Sequence, residues 1–144
     1  MGLLKIADVP SAEIGPDRTV LDAVAVMAKA RVGAVAVVEM AQLRGIFTER
    51  DLMLRVVQQG RNPGQTTVRE VMTTPVATAY DKTPASEAMT LMLDRHLRHL
   101  PIIGEGGQLL GMLSIRDLLN DKVEDLKREL NSIDQYMLND GPGG

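Results

Sequence analysis

Gln42-Leu43-Arg44-Gly45-Ile46-Phe47-Thr48-Glu49-Arg50-Asp51-Leu52 and Gln108-Leu109-Leu110-Gly111-Met112-Leu113-Ser114-Ile115-Arg116-Asp117-Leu118 are one pattern written twice. In each, a Gly precedes two apolar residues, a hydroxyl, one further residue and then Arg-Asp-Leu. The apolar run predicts a strand, the hydroxyl a turn, and the Asp the first turn of a following helix. The match extends outward. Asp17-Arg18-Thr19 faces Asp81-Lys82-Thr83, Asp22–Met27 faces Glu87–Met92, and Val35–Val38 faces Leu100–Ile103. The period is too long for a solenoid and occurs only twice, so the chain carries a duplicated small domain.

Each copy predicts the same succession of elements. Short extended segments lie around Ile14 and Val76. A helix then opens at Thr19 or Thr83 as N-cap, with Pro84 at the first helical position. Leu21, Val24, Ala25 and Ala28 give the first helix an apolar face, as do Ala85, Ala88, Met89 and Met92 the second. Strands follow at Val35–Val38 and Leu43–Phe47, and at Leu100–Ile103 and Leu109–Leu113, joined by hairpin-sized links. A second helix starts after Thr48 or Ser114 and runs to about Gln59 or Lys122. Gly60–Gln65 is a turn-rich linker. Beyond Asn120 the chain is charged and predicted helical to Leu138, with Leu126, Leu130, Ile133 and Met137 on one stripe, and Gly141–Gly144 should fray. A unit of roughly sixty residues is marginal alone. The expectation is therefore α/β (α+β): two βαββα units over 1–62 and 66–122, packed as a pseudo-twofold pair, then a helical tail over 123–144.

Composition excludes several chemistries. The 144 residues include no Cys, which removes disulfides, thiolate catalysis and cysteine-held metal clusters. The net charge of −3 and the three aromatic residues argue against a nucleic-acid interface. The longest apolar stretch, Val32–Val38, is far short of the ~20 residues of a membrane span. The N-terminus lacks a signal-peptide pattern, so a cytoplasmic location is expected. His96-x-x-His99 pairs the only two His with no third ligand in view, and no metal site is expected. Gly104-Glu105-Gly106-Gly107 joins two strands and predicts a hairpin turn rather than a phosphate loop. The Met residues at helical spacing predict core. No base, nucleophile and orienting group assemble in sequence, so no enzymatic role is expected.

What remains is the repeated motif. A hydroxyl and backbone N–H groups at a helix N-terminus make a phosphate seat. An ionised Asp can accept from both hydroxyls of a ribose, and the adjacent Arg50 or Arg116 can neutralise phosphate. Thr48-x-x-Asp51 and Ser114-x-x-Asp117 equally fit a helix capping box. Capping alone does not require the duplicated Gly45/Gly111 and Arg50/Arg116.

With these residues in hand, the chain resembles a pair of CBS domains, a Bateman module, over about residues 4–122. Gly45–Asp51, Gly111–Asp117, Arg98-His99-Leu100-Pro101-Ile102-Ile103 and the lead-in Val68-Arg69-Glu70-Val71-Met72-Thr73 carry the resemblance, and bacterial stand-alone pairs with a short helical tail are similar. The resemblance implies two clefts between the repeats that bind adenosine-containing ligands: AMP, ADP, ATP, NAD or S-adenosylmethionine. It implies Asp51 and Thr48 for one cleft and Asp117 and Ser114 for the other, with the Asp on the ribose and the hydroxyl near phosphate. It implies Ile14, Val35 and Ile46 around adenine in the first cleft, and Val76, Leu100, Pro101 and Met112 in the second. Arg50 is the phosphate candidate in the first, and Arg98, His99 and Arg116 in the second. The first copy departs from the pattern with Gly33-Ala34 where the second has Arg98-His99, and Ala36 where it has Pro101.

The expected function is a non-enzymatic, homodimeric adenine-nucleotide sensor that needs no cofactor and is read by an unnamed client protein. The alternative is a ligand-independent dimerisation or docking module in which Asp51 and Asp117 serve only as caps.

Overall fold

The computed structural model describes residues 2–139; Gly141–Gly144, expected to fray, lie outside the described residues. In the first copy, β1 (Glu13–Ile14) leads to α1 (Val20–Ala30), β2 (Ala34–Glu39), β3 (Gln42–Thr48) and α2 (Glu49–Asp51), which continues as a π-helical turn, Leu52–Val57. After a short α3 (Val68–Val71), the second copy runs α4 (Ala85–Asp94), β4 (His99–Ile103), β5 (Leu109–Ser114) and α5 (Ile115–Asn139). β1 pairs parallel to β2, and β2 antiparallel to β3. β4 and β5 repeat the hairpin, and Ala79 bridges Ile102 in parallel where β1 bridges β2. The extended partner thus falls on Ala79, three residues past Val76.

β2 shows why both of its faces are apolar. Val35 and Val37 point into a core with Val20, Ala23, Met27, Phe47 and Val56. Ala34 and Ala36, at the alternate positions, face Ile46 and Met112 of the sheet-to-sheet contact, with Val38, Leu43, Val76 and Leu109 around them. Small side chains here let the two hairpins approach. Leu100, Ile102 and Leu113 fill the matching second core with Ala88, Met92 and Leu118.

Two crossing segments join the halves. Leu3, from a short 3₁₀ turn at Leu3–Lys5, is buried in the second core, and its N–H donates to Asp81 O at 2.9 Å. Asp8 and Met112 exchange N–H···O bonds of 2.9 and 3.0 Å. Conversely, Val68 and Val71 are buried in the first core, and Thr73 and Ile46 exchange bonds of 2.8 and 3.0 Å. Burying each valine contributes about 1.5–3 kcal/mol. Each repeat is therefore completed by the lead-in of the other.

The duplicated glycines answer to these crossings. A Cβ at Gly45 would stand 3.0 Å from Thr73 O and against the Met72 side chain. One at Gly111 would stand 3.0 Å from Asp8 O and from the Leu4 and Val9 side chains. Close backbone approach accounts for both, independent of any ligand.

Helix ends depart from expectation in two places. Thr19 caps α1 as predicted, in a reciprocal box with Asp22. Thr83 does not cap α4: its Oγ1 accepts from Tyr80 N at 3.0 Å, closing the preceding turn, and Pro84 takes the cap position with its carbonyl accepting from Ala88 N. The helix expected to end near Lys122 instead runs unbroken into the tail. No Gly or Pro interrupts Ile115–Asn139, whereas Gly60, at φ 68°, stands just past the first copy's second helix. Gly104–Gln108 forms the predicted hairpin link, closed by Gly104 N to Gln108 O at 2.9 Å. Among the described residues no helix is long and apolar enough to cross a membrane.

Candidate functional site

Both copies of the motif place a hydroxyl at a strand end and an Asp on the next helical turn. Thr48 Oγ1 accepts from Asp51 N at 3.2 Å, and Thr48 N donates to Asp51 Oδ2 at 3.0 Å. Ser114 Oγ accepts from Asp117 N at 3.0 Å, and Ser114 N donates to Asp117 Oδ2 at 3.3 Å. Capping is present in both.

Beyond the caps the two differ. Asp51 is buried, at 6% exposure. Its Oδ1 accepts from Thr73 Oγ1 at 2.9 Å and lies 3.6 Å from Arg55 Nε, while Oδ2 also takes the Thr48 hydroxyl at 3.2 Å. The carboxylate is consumed by cap, crossing segment and ion pair. Asp117 is half-exposed, and among the described residues its Oδ1 takes no hydrogen bond.

Asp117 opens on a cavity of about 460 Å³ between the repeats. Ser114, Arg116, Asp117 and Asn120 line it from the β5–α5 turn, with Met112 and His99 from the strands. Arg31, Val32, Gly33 and Ala34 close it from the first repeat, and Asp8 and Ala12 from the lead-in. Charges of both signs meet there: Arg31 and Arg116 against Asp8 and Asp117. Arg31 terminates α1 in the left-handed region, at φ 57°. Burial pushes His99 below the usual imidazole range; the carboxylates of Glu49, Asp117 and Asp8 pull it back up, and Arg98 pushes it down.

Five of the residues proposed for the second cleft, Asp117, Ser114, Arg116, Met112 and His99, line this cavity. Four do not. Leu100 and Pro101 are fully buried, Val76 packs in the sheet-to-sheet contact, and Arg98 is exposed with its carbonyl bound to Ile115 N. For the first cleft, Ile14 and Val35 belong to the first core and Ile46 to the sheet contact, Arg50 is exposed, and Asp51 and Thr48 are bonded to one another. A second cavity of about 380 Å³ lies elsewhere, on Val24, Met27, Ala28, Glu49 and Leu52, and shares only Arg31–Gly33 with the Asp117 cavity. The repeated motif does not point to Asp8, Arg31 or Asn120. No local pattern marks them: Asp8 and Arg31 reach the cavity from the first repeat, and Asn120 stands one helical turn past Asp117. No cluster of three His, Cys, Asp or Glu able to hold a metal forms among the described residues.

The sequence model of the CBS domain matches twice, over residues 6–58 and 68–124. The chain belongs to the CBS domain family. As a CBS pair it is similar to YhcV of Bacillus subtilis, 37% identical over 107 residues, covering 74% of this chain and 75% of the relative. It is similar in structure to the CBS domain NE2398, at 34% identity and TM-score 0.79, covering 84% of this chain and 94% of that one. It is also similar to PAE2072 from Pyrobaculum aerophilum, complexed with AMP, at 25% identity and TM-score 0.74, covering 81% of this chain and 89% of that one. Against two longer curated relatives, from Methanopyrus kandleri and Arabidopsis thaliana, the chain spans 54% and 61% of their lengths.

Proposed function

We propose that this CBS pair is a regulatory module that binds one adenosine-containing ligand, of the AMP, ADP, ATP, NAD or S-adenosylmethionine class, in the Asp117 cavity. The observation that carries the reading is an unengaged carboxylate oxygen facing a cavity walled by both repeats and two arginines. The volume of about 460 Å³ lies within the range of small-molecule sites. Asp117 Oδ1 accepts from a ribose hydroxyl, Arg116 and Arg31 meet phosphate, and Met112, Val32, Ala34 and Ala12 supply aliphatic contact for the base. The AMP complex of PAE2072 supports the ligand class. A ligand held at once by residues 31–34 and 114–117 favours one packing of the two halves, and a client protein reads that packing. The module works without a cofactor and without a reaction of its own, as a homodimer in the cytoplasm.

Thermal unfolding with AMP, ATP, NAD and S-adenosylmethionine tests this. A ligand at 100 times its dissociation constant stabilises by about 2.7 kcal/mol. The shift should vanish in Asp117→Ala. It should weaken for phosphate ligands in Arg31→Gly, which removes the guanidinium at a backbone conformation glycine adopts freely. No shift with any of the four would overturn the reading. The capping-only alternative is favoured for Asp51 alone, whose oxygens are all engaged.

A further inference from the structure

The apolar stripe on α5 takes no part in the cores or the cavity, apart from the proximity of its first turn. Leu119, Val123, Leu126, Leu130, Ile133 and Met137 follow at alternating steps of four and three residues, each between 47% and 64% exposed. That is the 3.5-residue repeat of a two-helix seam, narrower than the stripe of a helix lying on a globular core. Every residue from Leu126 to Met137 is exposed, so this stretch of about 18 Å rests on nothing among the described residues.

We propose that the distal half of α5 pairs antiparallel with α5 of a second copy. In the register we assign, Leu130 of each chain meets Ile133 of the other, and Leu126 meets Met137. Charge selects this arrangement. Parallel pairing sets Lys122 beside Lys127 and Glu129 beside Asp134 of the other chain, four like-charged meetings in all. An antiparallel register using all six stripe residues sets Lys127 on Lys127 and Glu129 on Glu129. The assigned register sets Lys127 against Asp134 on both flanks and Glu129 against the neutral Tyr136. It also uses only the projecting residues and leaves the two bodies at opposite ends of the seam. The inference supplies a surface for the homodimer reading above and is independent of the ligand.

Sedimentation equilibrium of the full chain tests it. Wild type should be dimeric, and Leu130→Glu, at an exposed position, should be monomeric with the far-ultraviolet circular dichroism of the folded wild type. Lys127→Glu and Asp134→Lys should each weaken the dimer about tenfold, and the double exchange should restore it. In a parallel seam either single exchange would instead tighten the dimer, which would overturn the proposal. A dimer indifferent to Leu130→Glu would overturn the seam while leaving the homodimer reading intact. A monomer at every concentration would overturn both.

Discussion

Asp51 and Asp117 occupy the same point in two copies of one motif, and their surroundings are opposite. The crossing lead-in delivers Thr73 to the first, and its hydroxyl donates to Asp51 at 2.9 Å. At the matching place the other lead-in delivers Asp8, which pairs with Met112 as Thr73 pairs with Ile46. An ionised carboxylate has no proton to donate, so Asp117 keeps an oxygen free and gains a like-charged neighbour on the cavity wall. Duplicating a motif therefore does not duplicate its surroundings. The residue that decides whether the Asp is structural or available comes from outside the motif, at the start of the other repeat.

The comparison breaks most directly by truncating each Asp. Asp51→Ala removes a cap and leaves the Thr73 hydroxyl without its acceptor at a buried carboxylate site, and should cost about 2–4 kcal/mol in urea unfolding. Asp117→Ala removes only a cap and should cost about 1 kcal/mol. Ligand response should follow the reverse order, surviving in the variant at 51 and lost in the variant at 117. Equal stability losses would mean that Thr73 contributes nothing to the difference.

A finer exchange transplants the first environment into the second. Asp8→Thr places a hydroxyl where Thr73 stands in the other half. It should donate to Asp117, remove the like charge and weaken the adenosine ligand about tenfold, about 1.4 kcal/mol. Stability should hold or rise slightly. Calorimetric titration with AMP on wild type and variant measures the change; unchanged affinity would show that Asp8 does not control the availability of Asp117.

These contrasts also show where sequence reading reached its limit. The duplication, the alternating apolar residues of β2 and the Thr/Ser-to-Asp spacing are local patterns, and they were enough to derive two βαββα units and to single out Asp117, Ser114 and Arg116. The lead-ins exchange between halves, and no local pattern encodes an exchange. Leu3 and Val68 look like the beginnings of their own repeats, yet each is buried in the other core. For the same reason Gly45 and Gly111 pointed toward a ligand when they make room for a crossing backbone. Arg31 and Asp8 stayed hidden because each reaches the cavity from the half that does not carry Asp117.

The smallest effect separates His99 from its counterpart Ala34. His99 is the titratable member of this pair, and burial holds its pKa below the ordinary value while Glu49, Asp117 and Asp8 only partly offset that. Well above the unfolded value of about 6.5 both states are neutral, and the residue leaves stability unaffected. As pH falls through 6.5 the unfolded chain takes a proton that the folded chain still refuses, so unfolding is favoured and stability declines until the folded pKa is passed. Carboxylates titrate lower and in both proteins, so the informative quantity is the difference between wild type and His99→Gln. Urea midpoints at pH 7.5 and 5.5 should show wild type losing more on acidification than the variant. If the two lines run parallel, His99 is as silent as Ala34, and the pH response belongs to carboxylates shared by both halves.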